Sequence, residues 1–378
     1  MSYMRCAVRI DRIECRNYRN REHFLFEPCG GVNVICGENA VGKTNLLESM
    51  WLCTGEKSFR GSADAELVRF GCPDAAIDCS FFSGGRPQRC ELRIREGKRE
   101  AVLNKIPLKT PSELNGRVLG VIFSPQHMAL VQNGPEERRR FIDSAIRQIK
   151  PGYARILQNY KRALAQRNSL LKDIPFHTRL LDTLEIWDER IAQLGGQVAA
   201  GRVRYIRRLS PLVKESYDGI SSGKEQLTCM YLSNTFDTGC EDPKEQTRRF
   251  REQLESGRKQ DLETGHTGQG PHRDDLELMI NGISARTFGS QGQKRSTILA
   301  LKLGEASLLR KTVGETPVMF LDDVMSELDE HRQRYLLHHL NDWQVFITAC
   351  APLETGIKTP EELRVFRLDA GTESAGGG

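Results

Sequence analysis

The sequence predicts an α/β fold, a mixed sheet around a phosphate-loop core, with a mainly helical second domain inserted into it. Three observations carry that expectation. Gly37-Glu38-Asn39-Ala40-Val41-Gly42-Lys43-Thr44 is a complete G-x-x-x-x-G-K-[ST] loop, and Asn45 continues it into an apolar helix pattern. Nearly the whole chain later, the apolar run Val318-Met319-Phe320-Leu321 ends in Asp322-Asp323. Between these blocks the texture turns helical at Pro135, and strand texture returns only at Leu276. Residues 1–134 and 265–378 are therefore expected to build one domain from two halves of sequence, with 135–264 as the insertion.

Each element follows from its local pattern. Val8 to Ile35 alternates apolar and polar residues and is broken by Gly30-Gly31, so strands ending at Val32-Asn33-Val34-Ile35-Cys36 lead into the loop. Leu46, Leu47, Met50, Trp51 and Leu52 then share one helical face, the context the loop requires. Trp51 at this spacing reads as core rather than as a platform for a base. Ile77 to Phe82, Leu92 to Ile94 and Val118 to Phe123 read as strands, with Gly84-Gly85 as a turn. Glu136 to Ile149, Tyr153 to Lys172 and His177 to Arg208 have helical spacing, interrupted by Pro175. They are too short for an extended coiled coil, so a compact helical domain is expected. The signal weakens between Ser221 and Gly270, apart from a charged helix over 244–260. Leu276 to Ile280 reads as a strand closed by Asn281-Gly282. A helix from Gln293 to Arg310, a strand from Val318, a helix from Glu330 to Leu340 and a strand from Val345 to Thr348 follow. The tail ending Ala375-Gly376-Gly377-Gly378 is expected to be disordered.

Composition narrows the function classes. The chain has 378 residues, enough for two domains, and 28% of them are charged. It has no run of about 18 apolar residues, which excludes a spanning helix. Arg5, Arg9 and Asp11 do not fit a secretory signal, so a cytoplasmic protein is expected. The eleven cysteines contain no C-x-x-C pair, and His266 and His272 lack ligand spacing, so the thiols read as reduced and mostly buried. Net charge is +5, but Pro135 to Lys214 carries 17 Lys/Arg against 8 Asp/Glu. That excess is either a solvated helical surface or a face for a phosphate backbone.

The chemistry concentrates in the blocks. In the phosphate loop, backbone N–H groups converge on phosphate oxygens beside a helix N-terminus. Lys43 would contact the β- and γ-phosphates of a nucleotide, and Thr44 would place its hydroxyl on Mg²⁺. Asp322, at the end of a buried strand, would hold the same ion, while Asp323 stands where a base for the attacking water is needed. The alternative is that the two acids cap a helix. Ser290-Gln291-Gly292-Gln293 precedes a helix at Lys294 and could grip a γ-phosphate with serine and backbone donors.

These three blocks resemble the head domain of the ABC-type ATPases, in the branch containing the SMC and RecF proteins. That resemblance implies ATP and Mg²⁺ as ligands, and a head-to-tail dimer in which Ser290 to Gln293 of one copy close over the nucleotide of the other. It places Ser326-Glu327-Leu328-Asp329 at the dimer face and Gln126, in Phe123-Ser124-Pro125-Gln126-His127, at the position that senses Mg²⁺ and the γ-phosphate. Within the branch the chain resembles the RecF family along nearly its full length. The carrying segments are Arg16-Asn17-Tyr18-Arg19-Asn20, Lys57-Ser58-Phe59-Arg60, Glu137-Arg138-Arg139-Arg140-Phe141-Ile142-Asp143 and Gly270-Pro271-His272-Arg273-Asp274-Asp275. An aspartate at 323, where most ABC proteins have glutamate, belongs to this pattern and suits slow hydrolysis used as a switch. Thr348 occupies the place of the usual switch histidine, and Gln126 matches the wider superfamily rather than the RecF acid.

The resemblance implies a weak, DNA-stimulated ATPase that dimerises on DNA at gaps or junctions of single and double strand. There it would help RecO and RecR load RecA in gap repair and the SOS response, associated with the bacterial nucleoid. An SMC-like structural DNA tether is the alternative, although it needs hundreds of residues of coiled coil. A transporter ATPase subunit is a second, opposed by the long insertion and by Asp323.

Overall fold

The computed structural model describes residues 7–350 and 363–368, so the glycine-rich tail lies outside the described residues. Strands β1 (Arg9–Tyr18), β2 (Arg21–Phe26) and β3 (Val32–Cys36) lead to helix α1 (Lys43–Leu52). Strands β4 (Asp74–Ser83), β5 (Arg86–Arg95), β6 (Lys98–Leu103), β7 (Ile106–Pro107) and β8 (Gly120–Phe123) follow. Next come α2 (Ala129–Gln132), α3 (Pro135–Ile149), α4 (Gly152–Asp173), α5 (Leu181–Ser221), β9 (Leu227–Leu232) and α6 (Pro243–Thr264). Then come β10 (Asp275–Ile280), β11 (Ile283–Ser284), α7 (Ala285–Phe288) and α8 (Gln291–Val313). The last described elements are β12 (Val318–Leu321), α9 (Glu330–His339), β13 (Val345–Ala349) and β14 (Leu363–Arg367). Two compact units result. The first holds the described residues up to Met128, Ser216–Lys224 and those from Arg295 on; the second holds Ala129–Glu215 and Glu225–Lys294. By packing, residues 265–294 group with the second unit. No helix among the described residues is long and apolar enough to cross a membrane.

The first unit has two sheets. One runs β14-β3-β13-β12-β8 with every pairing parallel. Strands β3, β8, β12 and β13 are buried at every position, which is why they read as unbroken apolar runs. The other runs β2-β1-β4-β5-β6-β7, antiparallel, and β4 alternates buried and half-exposed residues along its length. Helix α1 contributes to the core that both sheets share, where Trp51 meets Phe320 edge-on at 6.4 Å and Phe320 stacks on Phe346 at 5.5 Å. Trp51 also donates its indole N–H to the Lys57 carbonyl, which fixes it as core.

The second unit pairs β9, β10 and β11 antiparallel beside the long helices. Three of its arginines are buried in ion pairs. Arg138 forks onto Asp275 at 2.6 and 2.8 Å, Arg202 onto Asp143 at 2.9 Å, and fully buried Arg167 reaches Asp188 and Asp261. The Arg138–Asp275 pair ties the arginine segment at 137–143 to the acidic segment at 270–275. Helix α6 starts at an Asp242 cap with Pro243 in its first turn and ends at left-handed Gly265, signals that delimit it beyond the expected 244–260.

Helix α5 departs from expectation: it runs 41 residues, through Pro211, instead of ending at Arg208. A helix-interior proline costs about 3 kcal/mol. Leu212, Val213, Tyr217 and Ile220 are all buried beyond it. At about 1.5–3 kcal/mol for each large buried side chain, that burial outweighs the break.

Candidate nucleotide site

Strand β3 delivers the phosphate loop and α1 receives it. Gly42, the residue before α1, has φ +104°, and a Cβ there would stand 3.0 Å from Asn20 Oδ1. A Cβ at Gly37 would stand 2.5 Å from the Leu368 carbonyl oxygen. Only glycine fits either place. Lys43 is buried at 5% exposure and donates to the carbonyls of Gly37 at 2.7 Å and Glu38 at 2.9 Å, so its ammonium lies within the loop. Exposed Glu38, Asn39 and Ala40 form the tip, and half-buried Val41 gives its carbonyl to Arg21 at 2.8 Å.

Thr44 and Asp322 are the decisive pair. Thr44 Oγ1 donates to Asp322 Oδ1 at 2.8 Å across 278 residues of sequence. The order of the parallel sheet makes this possible: β13 lies between β3 and β12, and all three end at the same edge. Burial pushes the Asp322 carboxyl above the usual carboxylate range, while the hydroxyls of Thr44 and Thr348 pull it back. Two hard oxygen donors, a half-buried hydroxyl and a buried carboxylate, fit a divalent cation such as Mg²⁺, which takes few protein ligands and keeps its waters.

Asp323 is half-buried with φ +52°, its N–H donating to Thr348 Oγ1 at 2.8 Å. Neither acid caps a helix. Helix α9 is capped by Asp329, whose carboxylate accepts the Arg332 N–H at 3.0 Å, so the capping alternative does not hold. Ser326, the first residue of the expected interface segment, is exposed and donates to the Asp323 carbonyl at 2.9 Å.

Ser290 to Gln293 lie at the start of α8, in the second unit. Ser290 Oγ accepts the Gln293 N–H at 3.2 Å, and Gln293 Oε1 accepts the Ser290 N–H at 2.8 Å, a reciprocal capping box. Gln293 is tied down further by donating to Glu225 at 2.7 Å, whereas Ser290 and Gln291 are exposed and Gly292 is half-buried. Gln126 is exposed just after β8, while its neighbour His127 accepts from the Ser124 N–H at 3.0 Å.

Asn45, read from sequence as part of the phosphate site, also braces it, while Glu48 and Thr348 were given no role from sequence. Asn45 donates to Asn20 at 2.8 Å and accepts from Arg60 at 2.9 Å, linking the segment after β1, the loop helix and the segment after it. Glu48, fully buried in α1, accepts from Tyr18, Arg19 and Ser58. Its signal was a lone acid among the apolar residues of α1. Thr348 has no local signal, because its role depends on strand register.

The cysteines are free, and six of the ten described are buried. Cys53, Cys79 and Cys90 lie within 4.8 Å of one another, and their mutual hydrogen bonding, together with burial, holds all three thiols well above their usual pKa. The basic excess over 135–214 is smaller at the surface than in sequence, since Arg138, Arg167 and Arg202 are buried in ion pairs.

A parallel sheet with a phosphate loop, an acid-ended strand bonded to it and a serine-capped helix define the head of an ABC-type ATPase. An AAA-domain family model matches residues 12–190. "DNA replication and repair protein RecF" of Agathobacter rectalis is 38% identical over 96% of this chain and 98% of its own length. That of Acetivibrio thermocellus is 40% identical over 90% and 92%. A solved structure of the recombination mediator protein RecF with ATP, in the RecFOR pathway, is 33% identical over 98% of both chains, with a TM-score of 0.90. An Smc head domain from Pyrococcus furiosus, 15% identical over 96% of this chain and 94% of its own, shares the fold at a TM-score of 0.53. The chain belongs to the RecF family of DNA replication and repair proteins.

Proposed function

We propose that the chain is an ATP-dependent DNA-binding protein of recombinational gap repair, whose ATP-driven dimer forms at gaps or junctions and is reset by slow hydrolysis. The observation that carries this reading is the 2.8 Å hydrogen bond between Thr44 and Asp322, which brings the two distant blocks into one cluster. Lys43, Thr44 and Asn45 with the loop from Gly37 to Gly42 take the phosphates, Asp322 and Thr44 take Mg²⁺, and Asp323 orients the attacking water. When bound, Mg²⁺ supplies positive charge against the phosphate oxygens. Ser290, Gln291, Gly292 and Gln293 of a second copy close the site, and Gln126 senses its state. In this functional division, residues 1–134 and 265–378 form the ATPase head and 135–264 the DNA-facing insertion.

Exposed cations in the insertion, among them Arg155, Arg162, Arg179, Arg190, Arg208 and Lys214, suit sequence-independent contacts to a phosphate backbone. The family membership supports RecO and RecR as partners and RecA as the protein loaded. The longest described helix, 41 residues, spans about 60 Å, far from a long tether. Gel-shift binding to gapped duplex at low salt, with and without ATP, tests the reading. Retention enhanced by ATP and lost in Lys43→Ala is expected; retention indifferent to ATP would overturn it.

A further inference from the structure

We propose that the Thr348 hydroxyl is a positioning group that sets both aspartates at the end of β12, orienting the Asp322 carboxylate and holding the Asp323 backbone. This rests on the reading above, in which Asp322 takes Mg²⁺ and Asp323 the attacking water. β13 is the strand between the one that carries the phosphate loop and the one that carries the acids. Leu321 pairs with Ile347 on one side and Thr348 with Ile35 on the other, so Thr348 stands beside Asp322 at the loop edge of the sheet.

Every neighbour of Thr348 in β13 is apolar, and Thr348 itself is 1% exposed. A buried hydroxyl in such a strand is costly unless it is bonded. Thr348 Oγ1 donates to Asp322 Oδ1 at 3.0 Å and accepts the Asp323 N–H at 2.8 Å. The direction of each bond is fixed: a backbone N–H can only donate, which leaves the hydroxyl proton for the carboxylate. Thr44 donates to the same Oδ1, so two hydroxyls from opposite sides of the site fix the rotation of one carboxylate. Asp323 needs its own restraint. Its φ of +52° is left-handed, a conformation that costs a non-glycine residue about 1–2 kcal/mol. The bond from its N–H to Thr348 and the Ser326 bond to its carbonyl hold the two peptides that flank its Cα. One hydroxyl therefore links the geometry of the ion-holding acid to that of the acid one residue on.

The test compares Thr348→Val, Thr348→Ala and Thr348→Ser by Mg²⁺ titration of ATP hydrolysis and by ATP affinity in EDTA. Hydrogen bonds to charged groups are worth about 1.5–3 kcal/mol, roughly 10- to 100-fold. Thr348→Val and Thr348→Ala should raise the half-saturating Mg²⁺ concentration and lower kcat by about 10-fold or more on that scale. ATP affinity without Mg²⁺ should stay near that of the parent, and Thr348→Ser, which keeps the hydroxyl, should restore both parameters. The alanine variant carries the reading if the valine variant does not fold, and melting curves identify that case. Unchanged Mg²⁺ dependence in the hydroxyl-free variants would overturn the proposal, as would a serine variant as impaired as valine. Asp322→Asn is the control: if it too leaves the Mg²⁺ dependence unchanged, the reading of Asp322 itself has failed, not the role of Thr348.

Discussion

Lys43 is a buried ammonium whose bonded partners are carbonyls of its own loop, bonds that incoming phosphates can replace with stronger charge-assisted ones. Lys43→Ala should therefore weaken ATP binding by 100-fold or more, on the order of 3 kcal/mol for a lost charged contact. Isothermal titration near the parent affinity would reject the phosphate-loop assignment. His272 permits a pH prediction in the second unit. It accepts from Tyr160 at 2.6 Å through Nδ1 and donates Nε2–H to the Thr267 carbonyl at 3.0 Å, which suits the neutral ring. Burial lowers its pKa from 6.5 to about 4. A depressed histidine stabilises the fold above its unfolded pKa, and that contribution fades as pH falls from 6.5 towards 4. Its full size is no more than about 3 kcal/mol. His272→Gln keeps both bonding roles without titrating, so its stability relative to the parent should rise as urea melts move from pH 7 to 4.5. A pH-independent difference would reject this. Candidate positions tied to local chemistry, such as Lys43 and Asp322, were legible in sequence, whereas the placement of Thr348 was not, since its partners are set by strand register.

Among elements, α1 illustrates how a charge can hold a motif together. Glu48 accepts two bonds from Arg19 at 2.8 Å, one from Tyr18 at 3.0 Å and one from Ser58 at 2.5 Å, joining the end of β1 to α1 and to the segment after it. Removing one partner of a buried pair costs about 3–5 kcal/mol, because the other charge is left unpaired. Glu48→Ala should destabilise the first unit by that amount in urea titration; a loss under about 1 kcal/mol would show the network to be solvated. Parallel strands β3, β8, β12 and β13, with α1, were legible because both faces or one stripe are apolar; β14, with only Phe366 buried, was not. Strand β9 was not, because Leu227-Thr228-Cys229-Met230-Tyr231-Leu232 shows no polar alternation although alternate residues are exposed. The passage of α5 through Pro211 was equally hidden, since burial beyond the proline, not local propensity, sustains it. The basic insertion was legible as charge but misleading as surface, because its buried arginines pair with acids far away in sequence.

At the scale of the whole molecule, the proposed reading makes ATP a ligand shared by two copies. By linkage, a dimer that binds ATP better must be stabilised by ATP to the same extent. Ser290→Arg adds bulk and charge to an exposed helix start and should retain ATP binding while abolishing the dimer. Asp323→Asn should accumulate the ATP-bound dimer by slowing turnover, and parental turnover would remove Asp323 as the base. The most direct measurement is solution mass by light scattering with ATP, Mg²⁺ and gapped duplex, the DNA contribution subtracted. A value of twice the 42.7 kDa chain, reverting to one chain without ATP and in Ser290→Arg, is the expected result. A single-chain mass with ATP saturating, or a dimer indifferent to ATP and to Ser290→Arg, would contradict it.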